Sequence, residues 1–148
     1  MNARGYFNKY IVEITSVLVV LLFAYAGIIK LLSNATFQKE LSLSPLIPEG
    51  MVPYISLGLP VTELVICVLL FFERYARLAF YLTYFLMFFF TLYILFLLNY
   101  STYIPCSCGG ILGNMSWNAH IIFNLVFVVL AGVAVFILEK RRTGKINL

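Results

Sequence analysis

Apolar residues gather into four runs, 11–32, 54–72, 76–98 and 119–138, and the short segments between them together with the two ends of the chain hold most of the charge. Each run can cross a hydrocarbon layer about 30 Å thick, which takes about 20 residues of α-helix. Barrel strands would alternate polar and apolar residues over about ten positions, whereas these runs are apolar on every side. The expected fold is therefore an all-α membrane protein, a four-transmembrane-helix bundle forming a single domain over 1–148. Segment 33–53 interleaves Phe37, Leu41, Leu43, Leu46 and Ile47 with polar residues. It predicts a short interfacial helix that ends near the Ser44-Pro45 and Ile47-Pro48 steps and caps one end of the bundle.

Composition excludes a soluble domain: 63% of residues are hydrophobic, 11% are charged and the mean hydropathy is +1.00. The net charge of +4 matters through its distribution. Arg4 and Lys9 precede the first run, Arg74 and Arg77 separate the second from the third, and Lys140, Arg141, Arg142 and Lys145 follow the fourth. Segment 33–53 holds Lys39, with Lys30 at its edge, and segment 99–118 has no basic residue. The positive-inside rule then puts both the N- and C-termini in the cytoplasm and segment 99–118 outside. Ala24-Tyr25-Ala26 imitates a signal-peptide cleavage site, but the first run exceeds the ~7–15 residues of such a signal and reads as a span. The partner implied throughout is the lipid bilayer, and no basic patch or phosphate-binding glycine loop points to nucleic acid.

Polar residues inside the runs carry the next layer of information. Glu63 follows the Gly58 and Pro60 interruption of the second run. A carboxylate near mid-span costs about 2.5–3.5 kcal/mol on insertion scales, so it should face the bundle interior with a partner. It either lines a site or forms an interhelical hydrogen bond as a neutral acid. Lys30, the candidate partner, either snorkels to the interface or pairs with Glu63, reaching inward or through water. Ala26 and Gly27 on the same face would let a neighbouring helix approach closely. Cys67 reads as apolar filler and Glu13 as a solvated charge in the first turn of the first helix, favoured by the helix dipole. In the third run Phe80, Phe85, Phe88, Phe89, Phe90 and Phe96 read as a lipid-facing and packing wall, and Thr83, Met87 and Thr91 as a narrower seam. Three glycosylation-type triplets, starting at Asn34, Asn99 and Asn114, are too loose a pattern to assign a role.

The candidate chemistry lies between the third and fourth runs. Cys106 and Cys108 flank a single serine and precede Gly109 and Gly110, where the backbone can bend sharply. Trp117, His120 and Asn124 fall on one face of a helix starting near Ser116. With the loop outside, the thiol pair sits in an oxidising compartment. A disulfide across one intervening residue closes a tight ring, and strain in it would make the bond exchangeable rather than a staple. His120 is near enough in sequence to tune thiolate formation. Two thiolates and an imidazole also make a donor set suited to Cu(I) or Zn(II), and a third possibility is a non-catalytic subunit whose disulfide only pins a loop.

With these residues in place, the chain resembles the MauE branch of the DoxX-like membrane proteins over about 23–138. The resemblance rests on Gly27-Ile28-Ile29-Lys30-Leu31, on Phe37 followed by Leu41 and Pro48, on Leu59-Pro60 with Glu63-Leu64, on Cys106-Ser107-Cys108-Gly109-Gly110, and on Asn124. Gly110 stands where an aromatic residue often follows, and His120 stands near where a basic residue is common. The resemblance implies a four-helix protein of the bacterial inner membrane, its cysteine loop periplasmic, that assists a thioredoxin-fold partner or a disulfide-bearing exported protein. Cys106, Cys108 and His120 are then the expected catalytic residues. Lys30, Glu63 and Asn124 are the expected cofactor-binding residues, with no cofactor named. Quinone-linked four-helix oxidases relay electrons through two outward cysteine pairs, whereas this chain has one pair and the distant Cys67.

Overall fold

The computed structural model of the chain describes residues 3–101 and 116–146. Its elements are α1 (Ala3–Leu32), α2 (Asn34–Ser42), a 3-10 turn (Glu49–Met51), α3 (Val52–Leu70), α4 (Ala76–Tyr100) and α5 (Trp117–Ile146). The four long helices α1, α3, α4 and α5 are each long and apolar enough to cross a membrane. Cys106 and Cys108 lie outside the described residues.

Each long helix turns one stripe inward at helical spacing, which is how an all-apolar segment still specifies a packing face. On α4 the stripe is Ala76, Ala79, Phe80, Thr83, Met87, Thr91, Ile94 and Leu97. The Thr83, Met87 and Thr91 seam is thus part of the interior, and both threonine hydroxyls donate to carbonyls one turn back, on Ala79 and Met87. Of the expected phenylalanine wall, Phe85, Phe88, Phe89 and Phe96 face outward, but Phe80 is fully buried. Phe80 falls on the small-residue side of α4, next to Ala79 and opposite Ala131 and Ala134 of α5, and fills the space these leave.

Helices α1 and α3 pack closely along each other, as do α4 and α5, while contact between the two pairs is sparser. An apolar core of Val19, Phe23, Ile66, Cys67, Ala79, Met87 and Phe127 joins them at mid-height. The Cys67 thiol donates to the Val20 carbonyl at 3.7 Å, in keeping with its reading as filler. Below it lie the ends rich in basic residues, where Arg77 meets Glu139 at 3.4 Å. Glu13 is exposed and 3.6 Å from Lys9. It is not in a first turn, because α1 begins at Ala3; the helix dipole acts only over the terminal turn and so does not explain this carboxylate.

At the opposite end, α2 lies across α3 with Phe37 and Leu41 buried against Val52. The predicted interfacial helix is therefore present but stops at Ser42, before the proline steps. It is held by a consequence of Pro60. A proline in a helix cannot donate to the carbonyl four residues back, which here is Ser56, itself fully buried. Asn34 Nδ2 donates to that carbonyl at 3.1 Å, while Gln38 Nε2 donates to Asn34 Oδ1 and to Ser56 Oγ. An Asn34→Ala variant should lose about 1–3 kcal/mol, the cost of a stranded buried acceptor. In a Pro60→Ala background, which restores the missing N–H, the same change should be close to neutral. A double-mutant cycle by reversible unfolding in detergent measures the difference; equal costs in both backgrounds would refute the clamp.

Candidate functional site

Gly27 is where the site begins. A Cβ built on Gly27 would lie 3.2 Å from the Pro60 carbonyl oxygen and 3.2 Å from Leu64 Cγ, so α1 and α3 approach here backbone to backbone. Lys30 follows Gly27 by three residues on α1 and Glu63 follows Pro60 by three on the antiparallel α3, so the two side chains flank that close approach. Lys30 Nζ donates to Glu63 Oε1 at 2.5 Å, with both side chains more than nine-tenths buried. The lysine therefore turns inward and does not snorkel, and no bridging water is needed. The ring of Phe37 from α2 covers the ammonium, 5.9 Å from Nζ to the ring centroid. Moving either charge alone out of water costs several kcal/mol, so each residue is tenable here only with the other.

From the second helix pair come His120 and Asn124, both buried on the inward face of α5. Helix α5 starts at Trp117, and the Trp117 and His120 rings lie 6.3 Å apart at 24°, as expected from their spacing. Phe90 of α4 flanks the imidazole on another side, at 6.3 Å. Lys30, Glu63, His120 and Asn124 line one cavity of about 40 Å³, completed by apolar side chains that include Phe23, Met87 and Phe90. The four polar residues singled out in the sequence, two on each helix pair, are thus one cluster. Phe90 belongs to it as well, although its place in a run of phenylalanines gave no sign of that.

Two polar atoms in the cluster have no hydrogen-bond partner among the described residues: Glu63 Oε2 and Asn124 Nδ2. One accepts and the other donates. Among the described residues no three histidine, cysteine or carboxylate side chains come together to hold a metal ion. His120 is the only member of the proposed thiol and metal donor sets within the described residues; it lies one turn into α5, the helix that follows the cysteine segment in sequence.

A family model described as methylamine utilisation protein MauE matches residues 8–137. No curated protein and no solved structure matches the chain. The matched stretch runs from near the start of α1 to the last third of α5 and takes in every residue of the cluster. The chain belongs to the MauE family.

Proposed function

We propose that this MauE-family membrane protein carries out thiol–disulfide exchange at Cys106 and Cys108 with a thioredoxin-fold protein or a disulfide-bearing exported protein. In this reading it lies in a bacterial inner membrane with both termini cytoplasmic and the cysteine loop periplasmic. The observation that carries it is the concentration of buried ionisable and amide side chains at the end of the bundle where α4 finishes and α5 begins. The loop with the thiol pair connects those two helix ends. His120, one turn into α5, is an imidazole at that end of the bundle that could exchange a proton with a thiol or thiolate there.

The exchange balances within the two partners. A thiolate of the pair attacks one sulfur of the partner's disulfide, a mixed disulfide forms, and the partner's other sulfur leaves as a thiolate that takes up a proton. The second cysteine, deprotonated, then attacks the mixed disulfide, closing a Cys106–Cys108 bridge and releasing the partner as a dithiol. This chain has then lost two electrons and two protons, and the partner has gained them. Run backwards, the same steps oxidise the partner.

Single variants test it. Cys106→Ser or Cys108→Ser should trap a partner as a reductant-sensitive mixed disulfide, and a membrane-impermeant thiol reagent should label the remaining cysteine from the outer face of intact cells. The double serine variant should trap nothing and lose activity at unchanged membrane abundance. Full activity in the double variant would sink the exchange reading and leave a structural subunit. Stoichiometric copper or zinc, lost with the cysteines, would instead favour the metal site.

A further inference from the structure

We propose that the cavity between Glu63 and Asn124 is a binding site for water, through which the Lys30–Glu63 couple exchanges a proton. The proposal rests on the described residues alone and is independent of the thiol reading. The cavity offers one unpartnered acceptor, Glu63 Oε2, and one unpartnered donor, Asn124 Nδ2, on residues that are 5% and 3% exposed. Each such atom, left unmatched, has given up its hydration with nothing in return.

The chemistry of the walls selects the ligand. A cation would face the ammonium of Lys30, and an anion would face the carboxylate of Glu63. The occupant is therefore neutral, and it must donate to one wall and accept from the other. Water meets both demands. The size agrees, since one water needs about 10–15 Å³ by this measure, so that about 40 Å³ holds roughly three.

Water at Oε2 gives Glu63 a proton route that Lys30 does not block, because Lys30 occupies Oε1. The step is Glu63 carboxylate plus hydronium giving the carboxylic acid plus water, with Lys30 remaining an ammonium, so the couple passes from neutral to one positive charge. Among the described residues, the titratable and polar groups facing Glu63 are Lys30 on α1, His120 and Asn124 on α5, and Cys67 one turn along α3. Helix α4 presents Met87 and Phe90, and Phe37 of α2 lies over Lys30.

Difference infrared spectroscopy of the full chain in lipid nanodiscs tests this, with Glu63→Gln isolating the Glu63 signal from the other carboxylates. The expected result is a carboxylic-acid band that grows as pH is lowered over about pH 9 to 4, the range in which buried carboxyls titrate. The band shifts in D2O within the time of buffer exchange and is missing from Glu63→Gln. In Asn124→Leu, which keeps the ion pair but removes the donor wall, the rapid deuterium shift is lost. A Glu63 signal that does not respond to pH or D2O would overturn the proposal, as would an Asn124→Leu spectrum identical to the parent's.

Discussion

Replacing Lys30 by alanine is expected to cost about 3–5 kcal/mol of bundle stability, the usual consequence of leaving a buried charge without its partner. Glu63 Oε1 then loses the only partner the described residues give it, next to an Oε2 that already has none. The carboxylate must then take up a proton or draw water in, and either weakens the seam between α1 and α3. Replacing both residues together, Lys30→Met with Glu63→Leu, removes the unmet charge and keeps the volume. That variant should recover to near the parent or exceed it, since apolar replacements of buried ion pairs are often neutral or stabilising by about 1–4 kcal/mol. Unfolding in mixed micelles, followed by helicity, gives both numbers. A Lys30→Ala variant within about 0.5 kcal/mol of the parent, the scale of an exposed substitution, would mean that the pair is not buried as described.

Gly27→Leu should be comparably damaging, by crowding. Even a Cβ at this position sits 3.2 Å from a backbone oxygen of α3, and that oxygen cannot move without the helix. Alanine marks the threshold. Its gain over glycine in helix propensity, up to about 1 kcal/mol, works against the tight contact, so Gly27→Ala should come out near zero. Leucine adds three more carbons to a space already filled by Leu64. Overpacking of this kind typically costs about 1–3 kcal/mol, and forcing the helices apart also stretches the Lys30–Glu63 contact one turn away. The expected total is above about 3 kcal/mol, with part of the ion-pair energy included. A double-mutant cycle between Gly27→Leu and the Lys30→Met, Glu63→Leu pair should show strong non-additivity; simple addition would mean the glycine and the ion pair act separately.

The spans could be read from the chain because a bilayer leaves so few solutions: about 20 apolar residues per crossing, all backbone groups bonded within the segment. The charge pair could be read for the same reason, as Lys30 and Glu63 are each too costly alone at their depth. Whether the contact would be direct or through water could not be decided, because it depends on how closely Gly27 lets two backbones come. Helices α1 and α5 run past the predicted spans, to Ala3 and Ile146, through polar residues that carry no hydrophobic signal. The clamp of Asn34 on Ser56 was hidden by 22 residues of sequence, although Pro60 did announce that the Ser56 carbonyl would need a donor from elsewhere. Phe80 and Phe90 look like their neighbours in a phenylalanine-rich run, and only the helix they oppose gives them different surroundings. Cys106 and Cys108 lie outside the described residues, so their part in the site remains a proposal from sequence and family.

The Lys30–Glu63 pair also sets a schedule for the protein's own biosynthesis. Its two members are 33 residues apart, and the ribosome adds about 5–20 residues per second. For roughly 2–7 seconds, then, α1 has been made while its counter-charge has not. During that interval the first helix carries a lone ammonium that can only sit at the edge of the bilayer or remain beside the insertion machinery. The arrival of α3 releases it. The order of the helices along the chain thus decides which charge must wait, and the waiting one is a lysine, whose long apolar stem lets its head stay in water until the carboxylate comes.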